Sequence, residues 1–423
     1  MQEQQNINGL VDHLFRHESG KMVSVLTRIF GSAHIDLAED VVQDAMTEAI
    51  SQWAFKGIPD NPSAWLFSVA KNKALNALKR EKNKRQYSSD IAHYLKSEWT
   101  AEPALNVYFN EEEIKDDQLR MMFTCCHPSV SSDSQIALTL KTLCGFSIPE
   151  IAKAFLTTEE NIHKRLVRAR QTIREASIPF EVPHGKKLEG RLIVVLETIY
   201  LLFNEGYSAS KGNELIRYEL CEEAMRLAEL LVQSDVIKEK GNVYALLALM
   251  CLNASRFKAR ENKAGGLLTM AEQDRSLWDR TVMDRGIHYL GDAARGEALS
   301  PYHLLAAISA QHCTAPDFEA TDWKSILDLY DNLLLLDPSP VVLLNRSIAL
   351  SKVEGVSKAL NELEKLKHNP ALKGYYLFYS TQAELYLQEK NMEKARAALE
   401  QAIALAPLEA ERKLLRMRLK TIA

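Results

Sequence analysis

Glycine and proline are scarce, at 17 and 13 among 423 residues, so few long loops are expected. No apolar run approaches the roughly 20 residues that a membrane span needs. The most apolar stretch, LIVVLETIYLLF (Leu192 to Phe203), is short and contains Glu197. The opening MQEQQNINGL has neither the basic start nor the apolar core of a secretory signal. A cytoplasmic chain with no membrane partner is therefore expected, and the sequons at Asn253 and Asn345 then carry no meaning. The six cysteines are scattered except for Cys125-Cys126, and in the cytosol they are expected to be reduced. CCHP (Cys125 to Pro128) lacks a second ligand pair at zinc spacing, so packing is its default reading and no metal is expected. A phosphate-binding GKS or GKT loop is missing, and GYSAS (Gly206 to Ser210) lacks the closing glycine of a nucleophile elbow. No catalytic set and no cofactor follow from these residues.

What is present is helix. Apolar spacings of three and four recur almost throughout, and alternating strand patterns are scarce. The expected fold class is all-α. At this length two to four domains are expected. With 46% hydrophobic and 26% charged residues, the composition is that of a soluble globular protein. Charge is unevenly spread although the net charge is only -4. Asp36 to Glu48 carries five acids and no base, and Lys71 to Arg85 seven bases and one acid. Glu102 to Asp117 carries six acids and one base, contains Pro103, and is expected to be a partly extended linker.

The densest positive charge lies in NIHKRLVRARQTIREA (Asn161 to Ala176), with five basic residues and one acid. Just before it, Ser147 and Glu150 fit a capping box with Pro149 in the first helical turn. Thr157 and Glu160 fit a second box, so two helices separated by a few residues are expected, a helix-turn-helix. Leu156 stands where such proteins often carry glycine. On the second helix Ile162, Leu166, Ala169 and Ile173 form one apolar stripe, while Lys164, Arg168 and Gln171 share another face. His163 and Arg165 lie near the helix start, where base edges are read; arginines and lysines along a recognition helix meet phosphate.

A second basic run, NPSAWLFSVAKNKALNALKREKNKR (Asn61 to Arg85), begins with a helix start. Leu66, Ala70, Ala74 and Ala77 give it an apolar face; Asn72, Lys73, Asn76 and Lys79 give it a polar one. SQWAFKGIPD (Ser51 to Asp60) precedes it as an expected loop carrying Trp53, Phe55 and Lys56. Aromatics interleaved with bases suit unstacked single-stranded bases. Each tryptophan taken singly, Trp53 or Trp65, reads better as core.

Together AEDVVQDAMTEAI, NPSAWLFSVAKNKALNALKRE and a four-helix module ending KRLVRARQTIRE resemble an extracytoplasmic-function (ECF) sigma factor of the sigma-70 family. DDQLRMMFTCCHPSVSSDSQIALTLK, LLFNEGYSAS and EQDRSLWDR (Glu272 to Arg280) resemble the subgroup with a TPR-containing C-terminal extension. The resemblance implies sigma region 2 over 1–88, an acidic linker over 89–117 and region 4 over 118–180. A helical extension would follow over 186–300, then TPR-like repeats over 301–423. It implies core RNA polymerase and promoter DNA as partners. Asp36, Glu39, Asp40, Gln43 and Asp44 would meet the polymerase clamp. Trp53, Phe55, Lys56, Asn61, Asn72, Asn76, Lys79 and Arg80 would hold the minus-ten strand, with Asn76 replacing an aspartate common in the family. Thr157, Asn161, His163, Lys164, Arg165, Arg168 and Arg170 would meet the minus-thirty-five element.

The extension supports itself by spacing. Ala383, Tyr386, Ala395, Leu399, Ala402 and Pro407 fall as in a TPR unit, and Ser347, Leu350, Ala359 and Leu363 repeat the pattern 36 residues earlier. Such units stack and offer a surface to a protein or peptide partner. The dense cluster Asp274, Arg275, Trp278, Asp279 and Arg280 is expected to form buried ion pairs that fix helix packing. Two functions compete: a promoter-specificity subunit regulated by its own extension, and a stand-alone helix-turn-helix regulator with a TPR arm. The acidic helix before the aromatic-basic stretch favours the first, since a simple regulator needs neither.

Overall fold

The periodicity of the chain is realised as a succession of helices. A computed structural model describes residues 2–81, 110–155, 157–207, 216–262, 266–296, 298–370 and 372–422. Among them there is no strand, only an isolated antiparallel bridge between Glu261 and Leu267. No described helix is long and apolar enough to cross a membrane. The chain divides into two compact units: Met1–Leu201 with Gln233–Ile237, and Leu202–Val232 with Lys238–Ala423.

The first unit opens with α1 (Gln2–Phe30), α2 (Ile35–Lys56) and α3 (Pro62–Glu81). On α2 the stripe Ile35, Ala38, Val42, Ala45, Met46, Ala49 and Trp53 is buried. Gly57 ends this helix at φ 82°, its N–H bonded to the Trp53 carbonyl. Helix α2 therefore extends through Lys56, and the expected loop shrinks to Gly57–Asn61. Asn61 then caps α3, accepting from the Ala64 N–H at 3.0 Å. Leu66, Ala70 and Ala74 of α3 are buried, while Ala77 is half-buried.

Four helices follow: α4 (Glu111–Cys125), α5 (Ser132–Thr142), α6 (Ile148–Phe155) and α7 (Glu159–Glu175). The expected linker over 89–117 lies outside the described residues up to 109, but its last part is helical. Asn110 caps α4, accepting from the Glu113 N–H at 2.9 Å. Glu111, Glu112 and Glu113 then sit in the first turn, where carboxylates complement the helix dipole. Cys125 and Cys126 are buried; Cys125 Sγ lies 3.3 Å from Thr142 Oγ1, and burial pushes both thiols up.

Helix α8 (Lys186–Tyr207) contributes residues up to Leu201 to this unit. Its Arg191 donates to the Phe123 carbonyl at the end of α4, and its Thr198 hydroxyl lies 3.5 Å from Gln135 Oε1 on α5. The four-helix module is thus tied to residues beyond the expected boundary at 180.

The second unit takes in the rest of α8 and α9 (Tyr218–Gln233). Gly206 is required here: a Cβ would lie 2.7 Å from Cys221 Sγ and 2.9 Å from the Arg217 carbonyl. Helix α10 (Gly241–Ala254) is buried along nearly its whole length. Helices α11 (Arg280–Ala293) and α12 (Pro301–Thr314) pack on it. In EQDRSLWDR the expected ion pairs do not form among the described residues. Asp274 accepts from the Ser276 N–H, and Asp279 caps α11 at Val282. Arg275 donates to the carbonyls of His312 and Ala315 at the end of α12 and lies over the buried Trp278 ring. The motif locks helix ends through backbone groups, because short acids beside a helix start reach N–H groups before they reach arginines.

Packed neighbours continue the unit: α13 (Trp323–Leu336) with α14 (Pro340–Val353), then α15 (Val356–Leu366). Helices α16 (Tyr376–Gln388), α17 (Met392–Leu405) and α18 (Glu409–Thr421) follow. Ala383, Ala395, Leu399 and Ala402 are buried between α16 and α17, and Ala359 and Leu363 lie in the core beside them.

His312 on α12 is held neutral, its pKa lowered to about 4 by burial and by Arg256 and Arg275. Its ordinary pKa is 6.5, so between these values the unfolded chain binds a proton that the folded chain refuses. Stability therefore falls as pH drops below 6.5, by about 2 kcal/mol at pH 5 from this group. Thermal melts of the full chain across pH are expected to show this slope. His312→Gln should flatten it.

Candidate nucleic-acid interface

Helix α7 is set by its cap and its stripe. Thr158, not Thr157, is the cap; it accepts from the Asn161 N–H at 3.2 Å, while Thr157 Oγ1 accepts from Asn161 Nδ2 at 3.0 Å. The preceding box forms as expected, with Ser147 and Glu150 bonded reciprocally. Leu156 lies outside the described residues. Ile162, Leu166, Ala169 and Ile173 are fully buried, and Ala152 of α6 is buried with them. This burial leaves Asn161, His163, Lys164 and Arg168 exposed.

Lys164 pairs with Glu160 at 2.7 Å, and Arg165 reaches Asp133 on α5 at 3.0 Å. Arg168 has no carboxylate partner among the described residues. A cleft of about 620 Å³ runs between this face and the start of α5, lined by Ser131, Ser134, Asn161, Lys164, Arg165 and Arg168, with Asp133 and Glu175 as its acids. A helix N-terminus, hydroxyls and three cations against two acids leave it net positive, which suits a phosphate.

Arg170 departs from expectation. It points away from this face and pairs with Glu39 of α2; the two side chains are only 18% and 14% exposed. Arg174 approaches Asp36 at 3.8 Å and donates to the Ala33 carbonyl at 3.4 Å. Ser32 donates to the Ile178 carbonyl at 2.6 Å. Burial pushes the Glu39 carboxyl up, and Arg170 and Lys141 pull it back. Two residues assigned to the polymerase surface, Asp36 and Glu39, are thus engaged by the last turns of α7.

Asp40, Gln43 and Asp44 remain exposed on α2. Partial burial, together with Asp36 and Asp44, pushes the Asp40 carboxyl up. At the end of α2, Trp53 is 2% exposed and packs edge-to-face on Trp65 at 5.3 Å. It belongs to the core and offers no face to a base, because it continues the buried stripe of α2. Phe55 is the opposite, 92% exposed, beside the exposed Lys56. Asn61, Asn72 and Asn76 are exposed, and Lys73 pairs with Glu48 at 2.9 Å. The side chains of Lys79 and Arg80 lie outside the described part of α3.

Residues not anticipated join the two halves of this unit. Arg28 of α1 reaches Glu113 and, at 3.5 Å, Asp117; Arg120 also binds Asp117. Burial pushes Asp117 up to about 7 against the pull of both arginines. Gly20 lies where α1 crosses the end of α5: a Cβ there would collide with the Leu143 carbonyl. A lone glycine inside a helical pattern was the available signal.

Residues 14–84 match Sigma-70 region 2, and residues 120–173 match Sigma-70, region 4. The ECF RNA polymerase sigma-E factor of Escherichia coli (strain K12) is 30% identical over 156 residues, 36% of this chain and 78% of that protein. The chain belongs to the ECF sigma-70 family. The sigma-E factor of Salmonella typhimurium (strain LT2) is 29% identical over the same length. An uncharacterized protein of Rhizobium meliloti (strain 1021) is 35% identical over 415 residues, 98% of this chain and 96% of that one. Residues 191–294 match a family of unknown function, DUF6596. No solved structure matches. In this sigma factor both DNA-facing modules precede a long helical extension, and region 2 argues against the stand-alone regulator.

Proposed function

We propose that this sigma factor directs core RNA polymerase to promoters carrying minus-ten and minus-thirty-five elements. In this reading Asp40, Gln43 and Asp44 present negative charge to the polymerase, and Phe55 and Lys56 receive a flipped base and its backbone. The supporting observation is the exposed face of α7, capped and fixed by a buried stripe, with Arg168 unpaired among the described residues and Asn161 and His163 toward the helix start. Arg170 and Arg174 would serve as a latch to region 2, so polymerase engagement through Glu39 and Asp36 requires that latch to open. The extension would act as a built-in regulator, with its TPR-like helix pairs as the surface for a partner.

Arg168→Ala and Lys164→Ala are each expected to weaken duplex binding and to reduce the salt slope by about 1. His163→Ala should relax sequence preference instead. Fluorescence anisotropy over a salt series reads the first effect, and binding-site selection the second. Unchanged slopes in both cationic variants would remove the α7 face from DNA.

A further inference from the structure

The second unit contains a cavity of about 400 Å³ that no part of the sigma reading uses. That is within the range of small-molecule sites. One wall is aromatic. Trp323 packs edge-to-face against His312 at 5.4 Å and against Phe318 at 5.3 Å. Ile326 and Ala349, both buried, form its apolar floor. The facing wall, from α16 and α18, is polar: Ser380, Thr381 and the pair Glu384–Arg418 at 3.1 Å.

Charge decides what such a cavity prefers. Its acid, Glu384, is already matched by Arg418. Lys352, exposed at the rim, has no carboxylate partner among the described residues; its ammonium rests against aromatic rings instead. Its Nζ sits 5.2 Å from the Phe318 ring centroid and 5.8 Å from that of Trp323. A solvent-accessible cation thus stands directly beside the aromatic wall. His312 adds a buried Nδ1 without a hydrogen-bond partner, in an imidazole kept neutral.

We infer that this cavity is a binding site for a small amphipathic anion, a molecule with a planar apolar body and one carboxylate or sulfonate group. The body lies against Trp323 and Ile326, and the anionic group meets Lys352. The site stands on the cavity's own geometry and does not depend on the regulatory reading of the extension.

The test uses the full chain and 1-anilinonaphthalene-8-sulfonate, an aromatic monoanion with a planar naphthalene body, followed by fluorescence. One saturable site per chain is expected. Lys352→Glu should weaken it by about tenfold or more, the scale of one charge-assisted contact. Lys352→Arg should retain it, and Lys358→Glu on α15 should leave it unchanged. The uncharged analogue N-phenyl-1-naphthylamine should bind more weakly than the sulfonate. Ser380→Tyr, which fills the cavity, should abolish binding while near-ultraviolet circular dichroism stays native. Non-saturating fluorescence, or equal affinity of wild type and Lys352→Glu, would overturn the site and leave only general apolar adsorption.

Discussion

Glu39→Ala is expected to destabilise the first unit by about 3 kcal/mol, although Glu39 lies on a helix surface assigned to polymerase. The reason is what it leaves behind. Arg170 is largely enclosed, and its guanidinium already has one nitrogen, Nε, without a partner. Removing the carboxylate strands a charge between α2 and α7. Removing both charges is different. Glu39→Leu with Arg170→Met should recover most of the loss, since a buried ion pair of imperfect geometry is weakly stabilising against apolar side chains of similar size. The pair is imperfect here, because Glu39 Oε1 also lacks a partner. Urea denaturation of the full chain, followed by the tryptophans of region 2, measures all three. Gly20→Ala should act in the same direction by forcing α1 off the Leu143 carbonyl. If Glu39→Ala unfolds at the wild-type urea concentration, regions 2 and 4 are not latched through this pair.

Trp53→Ala and Phe55→Ala are expected to separate stability from strand opening. Trp53 fills the core beneath α3, and its loss should cost about 3–5 kcal/mol of stability. Phe55 touches almost nothing, so its replacement should change stability by less than about 0.5 kcal/mol. Its effect is expected in promoter melting, where stacking of one base is worth about 1–3 kcal/mol. Permanganate reactivity of promoter thymines should therefore fall in Phe55→Ala at normal thermal stability. Normal opening in that variant would remove the exposed ring from the minus-ten contact.

These two residues also show what the sequence could and could not disclose. Both are aromatic and stand two apart before a basic helix, so spacing alone gave them one role. Helix periodicity separates them, once α2 is known to extend through Lys56: Trp53 continues the stripe Ala38, Val42, Ala45, Ala49, and Phe55 falls outside it. The recognition helix was legible because its stripe, its basic face and its preceding capping box agree. Its own cap was misplaced by one residue because Thr157 and Thr158 offer the same hydroxyl. Arg170 was assigned to DNA by charge and position, and only tertiary packing reveals that Glu39 holds it. The same limit hid the pairing of Arg28 with Glu113 and Asp117, which lie far from it in sequence. In EQDRSLWDR the composition suggested ion pairs, whereas backbone carbonyls and helix-start amides took the polar groups. Nothing in the apolar run Leu192 to Phe203 announces that Arg191 and Thr198 touch α4 and α5.

Run-off transcription with full-length protein and core RNA polymerase, screened across genomic fragments, tests the central claim most directly. A parallel reaction with a chain ending at Tyr207, beyond the region 4 contacts of α8, reads the regulatory role; its output should differ from that of the full chain. For the full chain the account predicts discrete transcripts from defined start sites that core polymerase alone does not make, and that Arg168→Ala reduces. Core polymerase that starts nowhere, even with the protein in saturating excess, would contradict it.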